Sequence, residues 1–177
     1  MTLNIFTHNT RNSTIEVAQR SFNNTFGEYP TLIWRDGANT TGLADGYIQA
    51  VQTCPDDYIF MLEHDWEFIL TPEYQLDMIV QKMRAEGIVH LRFNKRKNQP
   101  VNADSWLKDK GWYCETPFVS NNPHIIDRKA YLGFIENGWI VRRGRSFGVE
   151  EVISRHINGT IYGGIGYPAV VKHLRGR

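Results

Sequence analysis

The stretch from Tyr58 to Trp66 reads YIFMLEHDW, and it decides the fold of this chain. Its first five residues are apolar or aromatic without a break, which is typical of a strand that is buried on both faces. Such a strand lies in the middle of an open α/β sheet, which binds ligands at the carboxyl ends of its strands. Glu63 and Asp65 follow at that end, and in an extended segment their side chains would point the same way. Two carboxylates in this position can hold Mg²⁺ or Mn²⁺, and the cation can hold a diphosphate.

The residues before this strand predict alternating strands and helices. Strands are expected at 3–7 and 31–34, where short apolar runs are bounded by turn residues. Helices are expected at 15–26 and 42–51, where apolar residues recur at helical spacing. This β-α-β-α-β order predicts parallel strands joined by right-handed crossovers.

The residues after Trp66 predict further helices and strands with longer connections. Helices are expected at 72–86, 128–137 and 148–157, and strands at 88–93 and around 125–126. The segment 101–117 shows little periodicity and is predicted to be a loop.

Composition limits the classes of function. A chain of 177 residues is one domain with a sizeable core, and 41% hydrophobic residues with 22% charged residues is a globular composition. The formal net charge of +1 gives no sign of a nucleic-acid-coating protein. The start of the chain does not resemble a secretory signal, and no apolar run approaches the length of a membrane span. Cys54 and Cys114 form neither a metal motif nor a disulfide framework, so a cytoplasmic location, of the cell or of a virus's host, is expected.

Acidic residues and one histidine stand where chemistry is expected in such a sheet. They are Asp36 after the second predicted strand, Glu63 and Asp65 after the third, Glu150 and Glu151 at the start of a late helix, and His173 near the end. Together they resemble the pattern of GT-A-fold, nucleotide-sugar-dependent glycosyltransferases of the family two type, from Leu3 to about His173. The resemblance implies a single Rossmann-like α/β domain with a central, mostly parallel sheet flanked by helices. Residues 1–66 would form the nucleotide-sugar-binding half, and residues 67–177 the half that binds the acceptor and completes the metal site.

The resemblance also implies a set of donor-binding residues. Asp65 would be the main ligand of Mn²⁺ or Mg²⁺, His173 would complete the metal site, and Glu63 would reach the ribose or a metal-bound water. The other positions implied to contact the nucleotide sugar are Thr7, His8, Asn9, Arg11, Asp36, Gly42, Asp45 and His64. A UDP-sugar donor is favoured, and GDP- and dTDP-sugars are also used on this fold.

Glu150 and Glu151 resemble the Glu-Asp pair of the same family, whose second acid is the catalytic base. Because both residues are glutamate here, the assignment of the base stays open between them. The implied chemistry is physically consistent, since a metal neutralises the leaving diphosphate and a carboxylate deprotonates the attacking hydroxyl. A metal-bound donor opposed by a base favours inversion. The acceptor would be a hydroxyl of a glycan, a protein, a lipid-linked intermediate or a modified DNA base.

Two other functions stay open at this point. A nucleotidyltransferase on a similar sheet would usually carry a glycine-rich loop after the first strand, and residues 7–12 hold no glycine, which counts against it. The other is a non-catalytic module that binds a nucleotide or a glycan. That function would be favoured if Glu63, Asp65 and His173 failed to converge, or if no divalent metal bound.

Overall fold

A computed structural model describes residues 1–8, 12–36, 43–102, 105–140 and 149–174 of the chain. The described helices are α1 (Asn12–Phe26), α2 (Leu43–Thr53), α3 (Leu76–Glu86), α4 (Arg128–Glu136) and α5 (Val149–Ile153). The described strands are β1 (Thr2–His8), β2 (Thr31–Asp36), β3 (Tyr58–Glu63), β4 (Trp66–Phe68), β5 (His90–Arg92), β6 (Val101–Asn102), β7 (Ser105–Trp106), β8 (Lys108–Asp109), β9 (Tyr113–Thr116), β10 (His124–Asp127), β11 (Gly159–Tyr162) and β12 (Val171–His173).

Eight of these strands form one mixed sheet in the order β2-β1-β3-β10-β5-β11-β9-β8. β1 runs parallel to both β2 and β3, as the predicted crossovers require. β10 lies antiparallel between β3 and β5, whereas β5 and β11 are parallel. The expected Rossmann-like α/β fold is therefore confirmed, with β3 inside the sheet and the strand direction reversed at β10.

The core has two layers because alternate residues of β3 point to opposite faces of the sheet. Phe60 and Leu62 belong to a cluster that includes Phe22 of α1 and Leu76 of α3. The intervening residues, including Met61, belong to a second cluster with α2 and α4. Because helices cover both faces of β3, its residues from 58 to 62 are all buried, which explains the unbroken apolar run in the sequence.

Three predictions about local structure are wrong. The helix predicted at 148–157 ends at Ile153, and the next residues form a turn. The segment 101–117 is not a loop, since it holds β6, β7, β8 and β9, and β9 pairs with β11 in the main sheet. Both sides of β9 are largely covered, so its residues do not alternate between apolar and polar. The helix predicted from residue 72 begins at Leu76, because Gln75 adopts an extended backbone as its N-cap. That helix ends at Gly87, as predicted, with a left-handed φ of 65° that suits glycine.

The two cysteines lie in different parts of the core. Cys54 and Cys114 are both buried, and neither forms a disulfide. Burial raises the pKa of the Cys114 thiol to about 11, so that thiol stays protonated at neutral pH. Within the described ranges, no helix combines the length and the apolar character that crossing a bilayer requires.

Candidate functional site

A buried carboxylate lies beside a histidine at the carboxyl end of β3. Asp65 stands in the turn between β3 and β4, and its side chain is 6% exposed. The Nε2 atom of His173 lies 3.3 Å from Oδ2 of Asp65. The backbone of the turn is anchored from both sides, because the amide of His64 donates to the carbonyl of Phe6 and the amide of Leu174 donates to the carbonyl of Asp65. The structure thus brings Asp65 and His173 together.

The pairing of β12 with β4 places the histidine. These strands are antiparallel, and His173 lies directly opposite Trp66. The two rings meet edge to face, with centroids 4.9 Å apart and planes at 86°. Val171 is fully buried at the start of β12, which secures the short strand to the core. Such anchoring restricts where the imidazole can lie relative to Asp65.

The chemistry of the pair suits a divalent cation. A carboxylate oxygen and an imidazole nitrogen are both ligands for Mn²⁺, and the carboxylate also suits Mg²⁺. Among the residues described, no three or more His, Cys, Asp or Glu side chains converge in a group that could hold a metal. Asp65 and His173 could supply two ligands of such a cation, and a bound molecule and water would have to supply the others.

Glu63 lies apart from the Asp65–His173 pair, so the three predicted ligands do not form one group within the described residues, and this counts in favour of the non-catalytic binding module. The extended backbone ends at Glu63, and His64 and Asp65 form a turn, so the alternation expected from Glu63 to Asp65 does not hold. Glu63 instead lines a recess on the sheet face that α2 and α4 cover. The other residues of the recess are Phe6, Tyr47, Met61, Leu62, Asn121 and His124. The buried side chain of His64 lies in the turn between the recess and the Asp65–His173 pair.

Two of the recess residues, Tyr47 and His124, belong to a group of four buried polar rings that the sequence did not single out as a site. His124 and His90 stack with centroids 4.6 Å apart. The hydroxyl of Tyr47 contacts Nε2 of His124, and the hydroxyl of Tyr131 lies 2.6 Å from Nδ1 of His90. The remaining ring nitrogens face backbone carbonyls within residues 120–122, at 2.7 Å for His124 and 3.2 Å for His90. Because a carbonyl only accepts, each histidine donates to it and accepts from its tyrosine.

These histidines are held neutral. Burial lowers the pKa of His124 to about 4 and the pKa of His90 well below its usual value. They therefore act as fixed hydrogen-bonding groups at neutral pH. Burial likewise raises the pKa of Tyr47 well above its usual value, so its hydroxyl keeps its proton.

The two glutamates at the start of α5 lie in different surroundings. Glu150 accepts a hydrogen bond from the backbone amide of Asn121, a residue that lines the recess. Glu151 points outward, is 75% exposed and forms an ion pair of 2.9 Å with Arg155. The structure therefore places Glu150, and not Glu151, beside the recess.

Arg92 is a further residue that the sequence analysis missed. It lies at the end of β5, opposite His124 on β10 and on the same face as His90. Burial lowers the pKa of its guanidinium to about 10, and the negative charge of Glu150 opposes that shift. A signal was present in the sequence, because His90 and Arg92 alternate with apolar residues and so put two cationic or polar groups on one face of a predicted strand.

Of the remaining predicted donor-binding residues, three lie at the ends of β1 and β2, one lies in α2, and three lie outside the described residues. Thr7 is buried near the end of β1, and Asp45 is buried in the first turn of α2. The backbones of His8 and Asp36 lie opposite each other in the β1–β2 ladder. These strand ends share the edge of the sheet with the end of β3, where Phe6 lies opposite Glu63. The three other predicted positions, Asn9, Arg11 and Gly42, lie outside the described residues.

The fold matches those of solved proteins, whereas no protein-family model and no curated protein sequence matches the chain. A197 from STIV matches with a TM-score of 0.55 at 13% identity, covering 92% of this chain and 82% of that one. UDP-glucose pyrophosphorylase in complex with UDP-glucose matches with a TM-score of 0.53 at 8% identity, covering 94% of this chain and 74% of that one. Its apo form gives a TM-score of 0.53 at 9% identity, with the same coverage. At such identities the likeness shows a shared fold.

Proposed function

We propose that this chain is a metal-dependent glycosyltransferase that moves a sugar from a nucleoside-diphosphate sugar to a hydroxyl acceptor. The observation that carries the proposal is the convergence of buried Asp65 with His173 at the carboxyl end of the central strand. That edge is where open α/β sheets bind ligands. The shared fold with UDP-glucose pyrophosphorylase, a protein solved with UDP-glucose, supports a nucleotide sugar as the ligand.

The donor would be held through its diphosphate. Asp65 and His173 would hold Mn²⁺ or Mg²⁺, which when bound neutralises the charge that develops on the leaving diphosphate. The side chain of His173 is 38% exposed, so its ring is open to solvent on one side, whereas Asp65 is shielded. Shielding strengthens the attraction of the carboxylate for a cation, because the local dielectric is lower than that of water. Nucleotide contacts would come from the ends of β1 and β2, including Thr7, His8 and Asp36.

Of the two glutamates, Glu150 is the better candidate for the catalytic base. The amide of Asn121 holds one of its carboxylate oxygens, which leaves the other to accept the proton of the acceptor hydroxyl. That hydroxyl would attack the anomeric carbon from the side opposite the diphosphate, so the bond to the diphosphate breaks with inversion. Glu151 would keep its exposed ion pair with Arg155 and stay outside the reaction.

A nucleotidyltransferase is the second candidate, because UDP-glucose pyrophosphorylase has this fold. The absence of glycine from residues 7–12 argues against a triphosphate-gripping loop after β1. The two reactions differ in their products. Release of the nucleoside diphosphate together with transfer of the sugar to an acceptor hydroxyl would support the glycosyltransferase. Release of pyrophosphate from a nucleoside triphosphate and a sugar phosphate would support the second candidate and contradict the first.

Binding of the donor is tested by thermal unfolding with UDP, GDP, dTDP and CDP, each with and without Mn²⁺. A ligand that binds only the folded state raises the melting temperature by mass action. We expect one nucleotide to do so only when Mn²⁺ is present, and Asp65→Ala to abolish the shift. Asp77→Ala is the matched control, because Asp77 is exposed on α3. An equal shift in the Asp65→Ala protein, or no shift with any nucleotide in the wild-type protein, would contradict the proposal.

A further inference from the structure

Three cationic side chains follow the end of β5, at the same edge of the sheet as Asp65 and His173. They are Lys95, Arg96 and Lys97, and all three are exposed. β5 runs in the same direction as β3, because both lie antiparallel to β10, so both strands end at this edge. Among the residues that the structure describes, none of the three cations forms a salt bridge. Neither the metal ligands nor the base of the proposed function uses these charges.

Two buried asparagines fix the ends of this segment, residues 94–98, which we call the basic loop. The side-chain amide of Asn94 donates to the carbonyl of Pro168 at 2.6 Å, and that of Asn98 donates to the carbonyl of Gly163 at 2.8 Å. Asn94 is 4% exposed and Asn98 is 1% exposed. Because both ends are held to the segment before β12, a ligand of this loop has less conformational freedom to remove when it binds.

Lys95 connects the basic loop to the candidate metal pair through Trp66. Its Nζ atom lies 5.9 Å from the centroid of a Trp66 ring. Trp66 also meets the ring of His173 edge to face, and His173 in turn lies 3.3 Å from Asp65. A lysine has a flexible four-carbon stem and three rotatable N–H donors, so its ammonium can turn from the ring to a nearby acceptor.

We propose that the basic loop binds phosphate and that Lys95 contacts the diphosphate of the donor, an inference that rests on the proposed function. The ammonium would donate to diphosphate oxygens that a cation at Asp65 leaves unbound, since lysine binds phosphate as a point charge. Arg96 and Lys97 would attract anionic ligands to this edge through their field, which salt screens. The diphosphate gains negative charge as it leaves, so the contact of Lys95 would also favour sugar transfer.

Calorimetric titration tests the contact with inorganic pyrophosphate and with UDP, GDP, dTDP and CDP, each in Mn²⁺ at low and at high salt. We expect Lys95→Met to lower the affinity for pyrophosphate and for the nucleotide that wild-type protein binds by about tenfold, the equivalent of one charge-assisted hydrogen bond. Binding to Lys95→Met should also depend less on salt. Lys95→Arg keeps the charge and should stay within about threefold of wild-type affinity.

Two comparisons separate the charge of Lys95 from its packing. Methionine and arginine both keep a long side chain over Trp66, so a difference between Lys95→Met and Lys95→Arg reports the charge. Lys82→Met is the matched control, because Lys82 of α3 lies over the rings of Tyr74 and Trp112 much as Lys95 lies over Trp66. This control should change neither affinity.

The outcomes distinguish this inference from the proposed function. If pyrophosphate binds and Lys95→Met weakens it, while none of the four nucleotides binds, the proposed function fails and the loop keeps its phosphate-binding role. If one nucleotide binds with a dependence on Asp65, but Lys95→Met binds it as tightly as wild-type protein does, only this inference is overturned. Equal losses in Lys95→Met and Lys95→Arg, or in Lys82→Met, overturn it as well. If neither pyrophosphate nor any nucleotide binds, both fail. Should Lys95→Met unfold, Lys95→Gln replaces it.

Discussion

At the scale of single residues, two neighbours of the same type have different environments. Glu150 and Glu151 share one helical turn, yet one contacts the recess segment and the other pairs with Arg155 in solvent. An exposed i,i+4 pair stabilises by only about 0.3–0.5 kcal/mol, so it gives Glu151 little more than a surface role. Family resemblance alone had favoured the second acid of the pair as the base. The surroundings of the carboxylates favour the first.

Substitution of each glutamate by glutamine separates these roles. We expect Glu150→Gln to retain Mn²⁺-dependent nucleotide binding and to lower turnover by about 10²- to 10⁴-fold, because the amide cannot accept the proton of the acceptor. Glu151→Gln is the matched control and should keep turnover within a few-fold of the wild-type value. Steady-state rates of nucleoside-diphosphate release measure both. Normal turnover in Glu150→Gln together with a large loss in Glu151→Gln would show that the roles are reversed.

At the scale of elements, β11 joins β9 and β8 to the rest of the main sheet. It pairs in parallel with β5, where Ile161 lies opposite Arg92, and antiparallel with β9, where Gly159 lies opposite Thr116. A Cβ atom on Gly159 would lie 2.1 Å from the carbonyl oxygen of Phe118. Glycine is therefore required at this position by the close approach of a neighbouring backbone.

Two glycine-to-alanine substitutions test this packing. Gly159→Ala should destabilise the protein by about 3 kcal/mol or more, because the backbone around Phe118 must move. Gly133→Ala, in α4, meets no atom within 4 Å and should stabilise by about 0.4–1 kcal/mol through a smaller loss of backbone entropy on folding. Urea unfolding at neutral pH gives both free energies. Equal effects of the two substitutions would contradict the tight approach at Gly159.

At the scale of the whole molecule, one of the two core layers contains a buried polar array. His90 and His124 lie between the sheet and helices α2 and α4, and they stay neutral in the folded protein. In the unfolded chain their pKa values return to the ordinary value near 6.5. Between pH 6.5 and about 4 the unfolded chain thus binds protons that the folded protein does not. Acid therefore favours unfolding through these groups.

The free energy of unfolding should accordingly be fully retained above pH 6.5 and decline as the pH falls towards 4. The depressed pKa of His124 alone corresponds to about 3 kcal/mol over that interval. Urea unfolding at several pH values measures the slope. His124→Gln should flatten it, whereas His156→Gln should not, because His156 is exposed. A wild-type free energy that does not change between pH 7 and pH 5 would contradict the burial of neutral histidines.

The sequence by itself determined the first half of the fold, in which local patterns of apolar residues identify the strands and helices. The apolar run before Glu63 identified the central strand, and the helical spacing of the segments around it predicted the parallel β-α-β-α-β half. These features depend on the spacing of apolar residues, which differs between strands and helices and can be read from a short segment of sequence. The sequence also marked Asp65 and His173 as candidate ligands, through family resemblance.

Only the tertiary structure decided which of these residues meet. Asp65 reaches His173 because β12 returns to pair with β4, and Glu150 reaches Asn121 because α5 lies against the segment before β10. Likewise β9 joins the sheet through its pairing with β11. Pairing between strands that lie far apart in the chain depends on the entropy of loop closure and on burial across the whole core. The spacing of apolar residues in a short segment carries no information on either. Long-range contacts therefore bring the residues of the site together, whereas the local sequence pattern specifies the strands and helices that carry those residues.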